Sequence, residues 1–292
     1  MTDKAWFSET LHDGIRFSFE ADTVLYEQKT EHQHLALIEN QIFGKVLMLD
    51  GVTQVTSADE FIYHEMMSHV PILAHGAAKN VLIVGGGDCG LAEEVLKHKS
   101  VDKLVQVEID PAVVDFSKEH FADFNETVFD DSRFELVIDD GMKFVAETDR
   151  RFDVVIVDST DPIGPGGILF TKEFYAAVRN CLTPGGVLVT QNGVPFLQKD
   201  ELEQSCRFFA ELYNDSSAYV ICVPTYIGGH MSLGWATDNA ALRKTDVATI
   251  AERFDVADIE TRYYTPDVHV AAFALPKYIL DAVDAGIASA QR

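Results

Sequence analysis

The stretch Val81-Leu-Ile-Val-Gly85-Gly-Gly-Asp88-Cys-Gly90 decides the fold of this chain. It begins with an unbroken run of aliphatic residues, which is typical of a strand buried on both faces of a parallel sheet. Gly85, Gly87 and Gly90 then have the spacing G-x-G-x-x-G, which in nucleotide-binding folds leads from a strand into a helix. The sequence therefore predicts a strand, a tight turn and a helix that together bind a nucleoside.

The carboxylate of Asp88 argues against a dinucleotide in this turn. Glu108 follows the next predicted strand at about the place of a ribose-binding acid, so the pattern alone also fits NAD. However, a carboxylate about 4 Å from a pyrophosphate charge costs about 4 kcal/mol at an effective dielectric of about 20. A nucleoside that carries positive charge, such as a sulfonium with a nearby amine, would be attracted instead. Taken alone, Asp88 could also simply cap the following helix.

The composition indicates a globular chain with few anionic partners. Its 292 residues are 47% hydrophobic, enough to fill a core without disulfide or metal support. The net charge of −24 disfavours nucleic acid and anionic membranes and is compatible with small cationic partners, although solubility alone also explains it. Because we find no signal segment, no long apolar run and no C-x-x-C pair, we expect a cytoplasmic protein with reduced cysteines.

The chain divides into two predicted domains. Residues 1–60 alternate apolar and polar positions in short runs, with a hairpin turn at Asp50-Gly51, and are predicted to form a β-meander. Residues 61–292 are predicted to form a Rossmann-like catalytic domain of α/β class, because helical spacing up to residue 69 is followed by alternating strands and helices. The predicted strands are 81–84, 104–108, 134–138, 154–157, 187–190, 218–223, 231–236 and 268–274. The predicted helices are 91–97, 111–120, 170–181 and 199–212.

Acidic residues follow four of these strands. In an open parallel sheet the ligand lies beyond the carboxyl ends of the strands, so residues at these positions converge. Acids that only cap helices are the simpler alternative for one or two of them. Like charges grouped without Lys or Arg destabilise an empty pocket, so we predict a site for a cation. The converging acids are Asp88, Glu108, Asp140, Asp158 and Asp161.

Two patterns in the sequence suggest a metal site as an alternative. Several carboxylates could hold Mg²⁺, although without a phosphate substrate this interpretation is weak. His64 and His69 resemble a zinc motif, but on a helix their spacing points the two rings about 140° apart. We therefore expect no metal ligand at His64.

The chain resembles spermidine synthases, which are polyamine aminopropyltransferases, and it is most similar to the bacterial form. The similarity extends over nearly the whole chain. The motifs that carry it are Gly85-Gly-Gly-Asp88, Val107-Glu-Ile-Asp110, Asp139-Asp-Gly141, Asp158-Ser-Thr-Asp-Pro-Ile-Gly-Pro165, Asp59-Glu-Phe-Ile-Tyr-His-Glu65, Pro224-Thr-Tyr226 and Ala272-Phe-Ala-Leu-Pro276. The resemblance implies aminopropyl transfer from decarboxylated S-adenosylmethionine, a co-substrate, to putrescine, which gives spermidine and methylthioadenosine.

The resemblance also implies roles for individual residues. The nucleoside would contact Gln33, Gly85, Gly87, Glu108, Asp140, Gly141 and Pro165. The aminopropyl amine would bind Asp88, and Asp158 would be the base. The attacking diamine would be arranged by Tyr63, His64, Asp161 and Tyr226, with Gln54 as a lesser candidate.

The family further implies a homodimer or homotetramer, and no cofactor besides the co-substrate. Two positions depart from its pattern: Cys89 stands where glycine is usual and is expected to crowd the turn, and Gly167 is expected to leave a lid loop less ordered. Other amine acceptors, namely cadaverine, agmatine and spermidine, stay open, as do a methyltransferase and a polyamine sensor that binds without reacting. Against the methyltransferase, the α-carboxylate of intact S-adenosylmethionine would lie close to the acidic side chains of the pocket.

Overall fold

The computed structural model of the chain describes residues 5–29, 34–160 and 164–291. In its N-terminal part β1 pairs with β2, and β3 to β6 form an antiparallel sheet in sequence order, which confirms the predicted meander. The predicted turn between β5 and β6 is also confirmed, since Asp50 and Gly51 have φ of 51° and 78°, as a type I′ turn requires. These strands are β1 (Ala5–Glu9), β2 (Phe17–Ala21), β3 (Thr23–Lys29), β4 (His34–Asn40), β5 (Gly44–Leu49) and β6 (Val52–Thr56).

The second sheet has seven strands in the order β12-β13-β11-β10-β7-β8-β9. Strands β7 to β11 run parallel, whereas β13 pairs antiparallel with both β11 and β12. The predicted Rossmann-like α/β fold with a small N-terminal β region is therefore confirmed. These strands are β7 (Asn80–Gly85), β8 (Lys103–Glu108), β9 (Phe134–Ile138), β10 (Phe152–Asp158), β11 (Leu182–Gln191), β12 (Asp215–Ile221) and β13 (Met231–Thr237).

Helices cover both faces of this sheet, and buried aliphatic side chains fill a core on each side. None of the described helices is long and apolar enough to cross a membrane. The helices are α1 (Glu60–His75), α2 (Gly90–Lys97), α3 (Pro111–His120), α4 (Gly141–Glu147), α5 (Lys172–Cys181), α6 (Lys199–Leu212), α7 (Val247–Ala257), α8 (Pro266–Ala272) and α9 (Lys277–Ala290). The division of the chain into domains at residue 60 stays a prediction.

Two local predictions were wrong. Residues 268–274 do not form a strand, because Thr265 caps α8 by accepting the Val268 N–H and Pro266 suits the first helical turn. Helix α1 continues through Pro71 to His75, whereas the sequence predicted helical spacing only up to residue 69. The residues that flank Pro71 in the helix are buried. The free energy gained by this packing outweighs the cost of the backbone hydrogen bond that proline cannot make.

Candidate active site

A cavity of about 660 Å³ lies where the carboxyl ends of the parallel strands meet the N-terminal strands. Its walls come from the turn after β7, from the segments after β8 and β10, and from residues 8–12 and 47–54. The sheet therefore brings residues that are distant in sequence to one edge. The predicted site residues that line the cavity are Gln54, Tyr63, Gly85, Gly87, Asp88, Glu108, Asp140, Gly141, Asp158 and Tyr226.

The remaining predicted site residues are Gln33, His64, Asp161 and Pro165. Gln33 and Asp161 lie outside the described residues. Pro165 lies in the 3-10 segment Gly164–Phe170, from which other residues reach the cavity wall. His64 does not line the cavity; its side chain is buried behind Asp88, with Nε2 3.6 Å from Asp88 Oδ2.

The glycine-rich turn packs directly against the end of β10. Gly85 has φ of +88°, and a Cβ on it would lie 2.0 Å from the Asp158 carbonyl oxygen. The Gly86 N–H donates to that same carbonyl at 2.9 Å, and the buried Gln106 amide donates to the carbonyls of Gly85 and Gly86. A side chain at position 85 is therefore excluded, and the turn holds Asp158 beside Asp88.

Cys89 affects the backbone of this turn. Its side chain is fully buried, with Sγ 3.8 Å from the Gly87 carbonyl oxygen. However, its φ is 63°, in the left-handed region that favours glycine. The departure from glycine at this position therefore places a strained residue directly after Asp88.

Asp88 both caps a helix and faces the cavity. Its Oδ1 accepts the Gly90 N–H at 2.9 Å and so satisfies the first free N–H of α2, although Cys89 occupies the N-cap position itself. The Asn125 side-chain amide fixes the backbone by donating to the Asp88 carbonyl at 2.8 Å. Since Asp88 also lines the cavity, its capping role does not remove it from the site.

Asp158 is paired with Tyr63 across the cavity wall. The Tyr63 hydroxyl donates to Asp158 Oδ1 at 2.8 Å. Burial and the charge of Asp88 raise the pKa of Asp158 to about 6, although His64 and the Tyr63 hydrogen bond act in the lowering direction. Burial and the charge of Asp158 also hold the pKa of Tyr63 well above its ordinary value, so this hydroxyl keeps its proton. An acid with a pKa near 6 can exchange a proton close to neutral pH.

Tyr226 joins the C-terminal half of the chain to the N-terminal strands. Its hydroxyl donates to the Gln54 carbonyl at 2.5 Å, and its ring meets the ring of Tyr63 edge-on at 6.1 Å. The preceding Thr225 donates from both its backbone N–H and its hydroxyl to the buried Asp59 carboxylate. The two tyrosines are therefore fixed against each other.

Glu108 and Asp140 lie at the other end of the cavity. Glu108 Oε1 accepts the Asp110 N–H at 2.8 Å, and burial raises the pKa of Glu108 to about 7 although backbone hydrogen bonds oppose this shift. Asp140 caps α4 by accepting the Lys143 N–H at 3.1 Å. A Cβ on Gly141 would lie 2.5 Å from Val84, which explains the glycine after Asp140.

Gln191 and Glu9 are two of the polar cavity residues that were missed from the sequence. Gln191 ends β11, and its buried Oε1 has no hydrogen-bond partner among the described residues. The rule that ligands lie beyond strand ends could have found it. Glu9 is buried, lines the cavity and accepts the Thr53 N–H at 2.8 Å. No local pattern marks Glu9, since this contact joins residues 44 positions apart.

The lining is strongly acidic. Among the described residues that form it are seven carboxylates, and neither Lys nor Arg occurs there. The seven are Glu9, Asp50, Asp88, Glu108, Asp110, Asp140 and Asp158. In the described ranges no three His, Cys, Asp or Glu side chains are grouped so that they could hold a metal ion. The cavity therefore suits an organic cation with hydroxyl or amino groups that donate to these acids.

Comparison with known proteins gave matches over most of the chain. The profile of the spermine/spermidine synthase domain matches residues 60–246, and that of the spermidine synthase tetramerisation domain matches residues 5–57. A polyamine aminopropyltransferase of Ruegeria sp. (strain TM1040) is 53% identical over 96% of this chain and 98% of its own length. The polyamine aminopropyltransferase 1 of Pseudomonas aeruginosa is 53% identical over 95% of this chain and 97% of its own length.

Two solved structures are similar in fold and in sequence. A spermidine synthase in complex with the transition-state analogue AdoDATO superposes with a TM-score of 0.91 and 35% identity, over 96% of this chain and 95% of the other. The spermidine synthase from Thermotoga maritima superposes with a TM-score of 0.87 and 32% identity, over 96% of this chain and 94% of the other. The similarity therefore includes the N-terminal strands as well as the large sheet.

Proposed function

The chain belongs to the spermine/spermidine synthase family, and we propose that it transfers an aminopropyl group from decarboxylated S-adenosylmethionine to putrescine. The products would be spermidine and methylthioadenosine. The observation that carries this proposal is the acidic lining of the cavity. Decarboxylated S-adenosylmethionine carries a sulfonium and an ammonium group, and putrescine carries two amines, so carboxylates without competing Lys or Arg suit both.

The nucleoside would occupy the end of the cavity formed by Glu108, Asp140 and Gly141. The Glu108 carboxylate would accept hydrogen bonds from the ribose hydroxyls, as acids after the second strand do in related folds. Asp140 would accept from the adenine amino group. Gln33 and Pro165 are further proposed contacts, while Gly85 and Gly87 would let the nucleoside approach the backbone.

The reacting groups would occupy the other end. Asp88 would hold the aminopropyl ammonium, and a neutral putrescine nitrogen would attack the propyl carbon next to sulfur. A carbon–nitrogen bond forms, the carbon–sulfur bond breaks, and its electron pair stays on sulfur. Positive charge thus moves from sulfur to nitrogen, where the carboxylates continue to stabilise it.

Asp158 would receive the proton that the attacking amine loses. An amine with a pKa of about 10.4 is neutral about once in 2,500 molecules at pH 7, which costs about 4.6 kcal/mol. The neighbouring sulfonium lowers that cost before attack, since it disfavours a second positive charge. Tyr63 and Tyr226 would orient the diamine, with Asp161 and Gln54 as further contacts. Because Glu9 lines the same cavity, its carboxylate is available to a second amine of the acceptor.

An assay with a panel of acceptors tests this proposal. Purified protein would be incubated with decarboxylated S-adenosylmethionine and putrescine, cadaverine, agmatine or spermidine, and mass spectrometry would follow the products. We expect methylthioadenosine and spermidine, with putrescine the preferred acceptor. Binding without product formation would support a sensor, and S-adenosylhomocysteine from intact S-adenosylmethionine would indicate a methyltransferase.

We also propose that the protein forms a homodimer or homotetramer. The support is the match of residues 5–57 to a spermidine synthase tetramerisation domain. Light scattering coupled to size exclusion would give the mass of the assembly. A monomer at micromolar concentration would contradict this proposal without affecting the assignment of the reaction.

A further inference from the structure

Behind the cavity, a buried histidine lies between two carboxylates. His64 Nδ1 is 2.9 Å from Glu60 Oε2, one turn earlier on α1, whereas His64 Nε2 is 3.6 Å from Asp88 Oδ2. All three side chains are at least 86% buried, with exposed fractions of 3% for His64, 8% for Glu60 and 14% for Asp88. The imidazole is therefore hydrogen-bonded to Glu60 and only close to Asp88.

The charge state of this triad determines what Asp88 can bind. Burial lowers the pKa of His64, but Asp88 and Glu60 outweigh burial and hold that pKa well above its ordinary value. A buried imidazolium with Asp88 as its sole partner would neutralise the carboxylate that faces the cavity. With Glu60 also hydrogen-bonded to the imidazolium, the three charges sum to one net negative charge, and Asp88 is the carboxylate of the pair that faces the cavity.

We propose that Glu60 is a positioning residue that pairs with the His64 imidazolium and thereby leaves the Asp88 carboxylate free to bind the aminopropyl ammonium. This inference rests on the proposed function, because Asp88 needs its charge only for a cationic substrate group. It assigns a role in substrate binding to a residue that does not line the cavity.

Other charged groups lie around the triad, on α2, at the end of β10, and between α7 and α8. Glu93 on α2 interacts electrostatically with both Glu60 and His64. Asp158, at the end of β10, interacts with His64 across the site. Arg262 Nη1 lies 3.8 Å from Glu60 Oε1, but the Arg262 side chain is 62% exposed and so is screened by solvent. Glu93 is therefore a matched control, since it adds a carboxylate nearby without a hydrogen bond to His64.

Calorimetric titration of Glu60→Gln with two ligands tests the proposal. Decarboxylated S-adenosylmethionine carries the aminopropyl ammonium, whereas methylthioadenosine lacks it. Without putrescine present, we expect Glu60→Gln to bind decarboxylated S-adenosylmethionine about tenfold more weakly than wild type, because a nearby charge is lost. Its affinity for methylthioadenosine should stay within about twofold of wild type. Glu93→Gln should change the affinity for either ligand less than about twofold.

A double variant distinguishes charge pairing from loss of structure. In Glu60→Gln combined with His64→Gln, the imidazolium that would neutralise Asp88 is absent. We therefore expect the double variant to bind decarboxylated S-adenosylmethionine severalfold more tightly than Glu60→Gln alone. A merely structural role for Glu60 would instead make the two losses add.

Three outcomes would overturn the inference. Glu60→Gln could behave like Glu93→Gln, the double variant could bind no better than the single one, or Glu60→Gln could lose methylthioadenosine to the same degree. The last result would show that Glu60 supports the fold in general. If wild type itself failed to bind or turn over decarboxylated S-adenosylmethionine, the proposed function would fail, which is a different observation from any of these.

Discussion

The two ends of the cavity are built differently. At the nucleoside end, defined by Glu108, Asp140 and Gly141, each acid accepts a backbone N–H two or three residues further along the chain. At the amine end, defined by Tyr63, Asp88 and Asp158, Asp88 accepts a local N–H in the same way, but Asp158 accepts the hydroxyl of Tyr63, which lies 95 residues away. The nucleoside end therefore depends on local backbone geometry. The amine end depends in addition on the packing of α1, which carries Tyr63, against the sheet.

Among the substitutions that test this contrast, Asp158→Asn should have the largest effect on turnover. The substitution removes the proposed proton acceptor but keeps the size of the side chain. We expect turnover to fall by about a thousandfold, within the range for loss of a general base. Affinity for methylthioadenosine should change less than about twofold, since that ligand would bind through the nucleoside end.

The measurements are single-turnover kinetics and calorimetry on the same preparation. Turnover within tenfold of wild type would contradict the role of Asp158. Equal losses of turnover and methylthioadenosine binding would contradict the independence of the two ends.

At the nucleoside end, Glu108→Gln should stabilise the empty protein and weaken nucleoside binding. Burial raises the pKa of Glu108 from an ordinary value of 4.5 to about 7, so the folded protein holds this proton more tightly than the unfolded chain does. Its contribution to stability is therefore complete below about pH 4.5 and is lost as the pH rises to about 7. Above pH 7 the empty Glu108→Gln variant should be more stable than wild type by up to about 3 kcal/mol.

Urea unfolding between pH 5 and 8 measures this difference, and methylthioadenosine titration measures the cost in binding. We expect the two stability curves to separate as the pH rises and the affinity for nucleoside to fall at least about tenfold, because charged acceptors form strong hydrogen bonds. Parallel stability curves would show that Glu108 is not desolvated in solution.

At the amine end, Tyr63→Phe should have a smaller effect, which is a shift in the pH dependence of kcat/KM. Burial and Asp88 raise the pKa of Asp158, and the Tyr63 hydrogen bond opposes them. Removing the hydroxyl should therefore raise the pKa of Asp158 above about 6 and move the acidic limb of kcat/KM to higher pH. The loss of kcat/KM should be about tenfold near pH 6 and less near pH 8.

Tyr226→Phe is the matched variant for this pH profile. The Tyr226 hydroxyl donates to the Gln54 carbonyl, and the groups that shift the pKa of Asp158 are Asp88, His64 and Tyr63. We expect its acidic limb to coincide with that of wild type, whatever its effect on the rate. A limb that moves equally in both variants, or to lower pH in Tyr63→Phe, would exclude the Tyr63 hydrogen bond as the cause.

The same contrast explains how much the sequence could predict. Strand ends and the acids that follow them are local features, so the positions of Glu108 and Asp140 came from the pattern of strands. Tyr63 and Tyr226 were assigned from family resemblance alone, because no local rule joins Tyr226 to Gln54 across 172 positions. Glu9 was missed for the same reason. The resemblance assigned His64 to the site, but it could not predict that the His64 side chain is buried behind Asp88.

The two wrong predictions had different causes, a local helix cap in one case and tertiary packing in the other. The apolar residues at 268–274 fit a strand, but the cap at Thr265 and the proline after it start a helix. Pro71 is tolerated inside α1 because the surrounding side chains are buried. In both cases a local apolar pattern was compatible with two structures, and contacts outside the pattern decided between them.

The smallest expected effect concerns the turn that both ends share. Cys89 has φ of 63°, where a Cβ costs about 1 kcal/mol relative to glycine. Cys89→Gly and Cys89→Ala both remove the buried thiol, but only glycine relieves the backbone. We therefore expect Cys89→Gly to be about 1 kcal/mol more stable than Cys89→Ala in urea unfolding, although glycine costs more entropy on folding. If Cys89→Ala were equally stable, the left-handed conformation at residue 89 would carry no strain, and the turn would hold Asp88 as easily with a side chain there as with glycine.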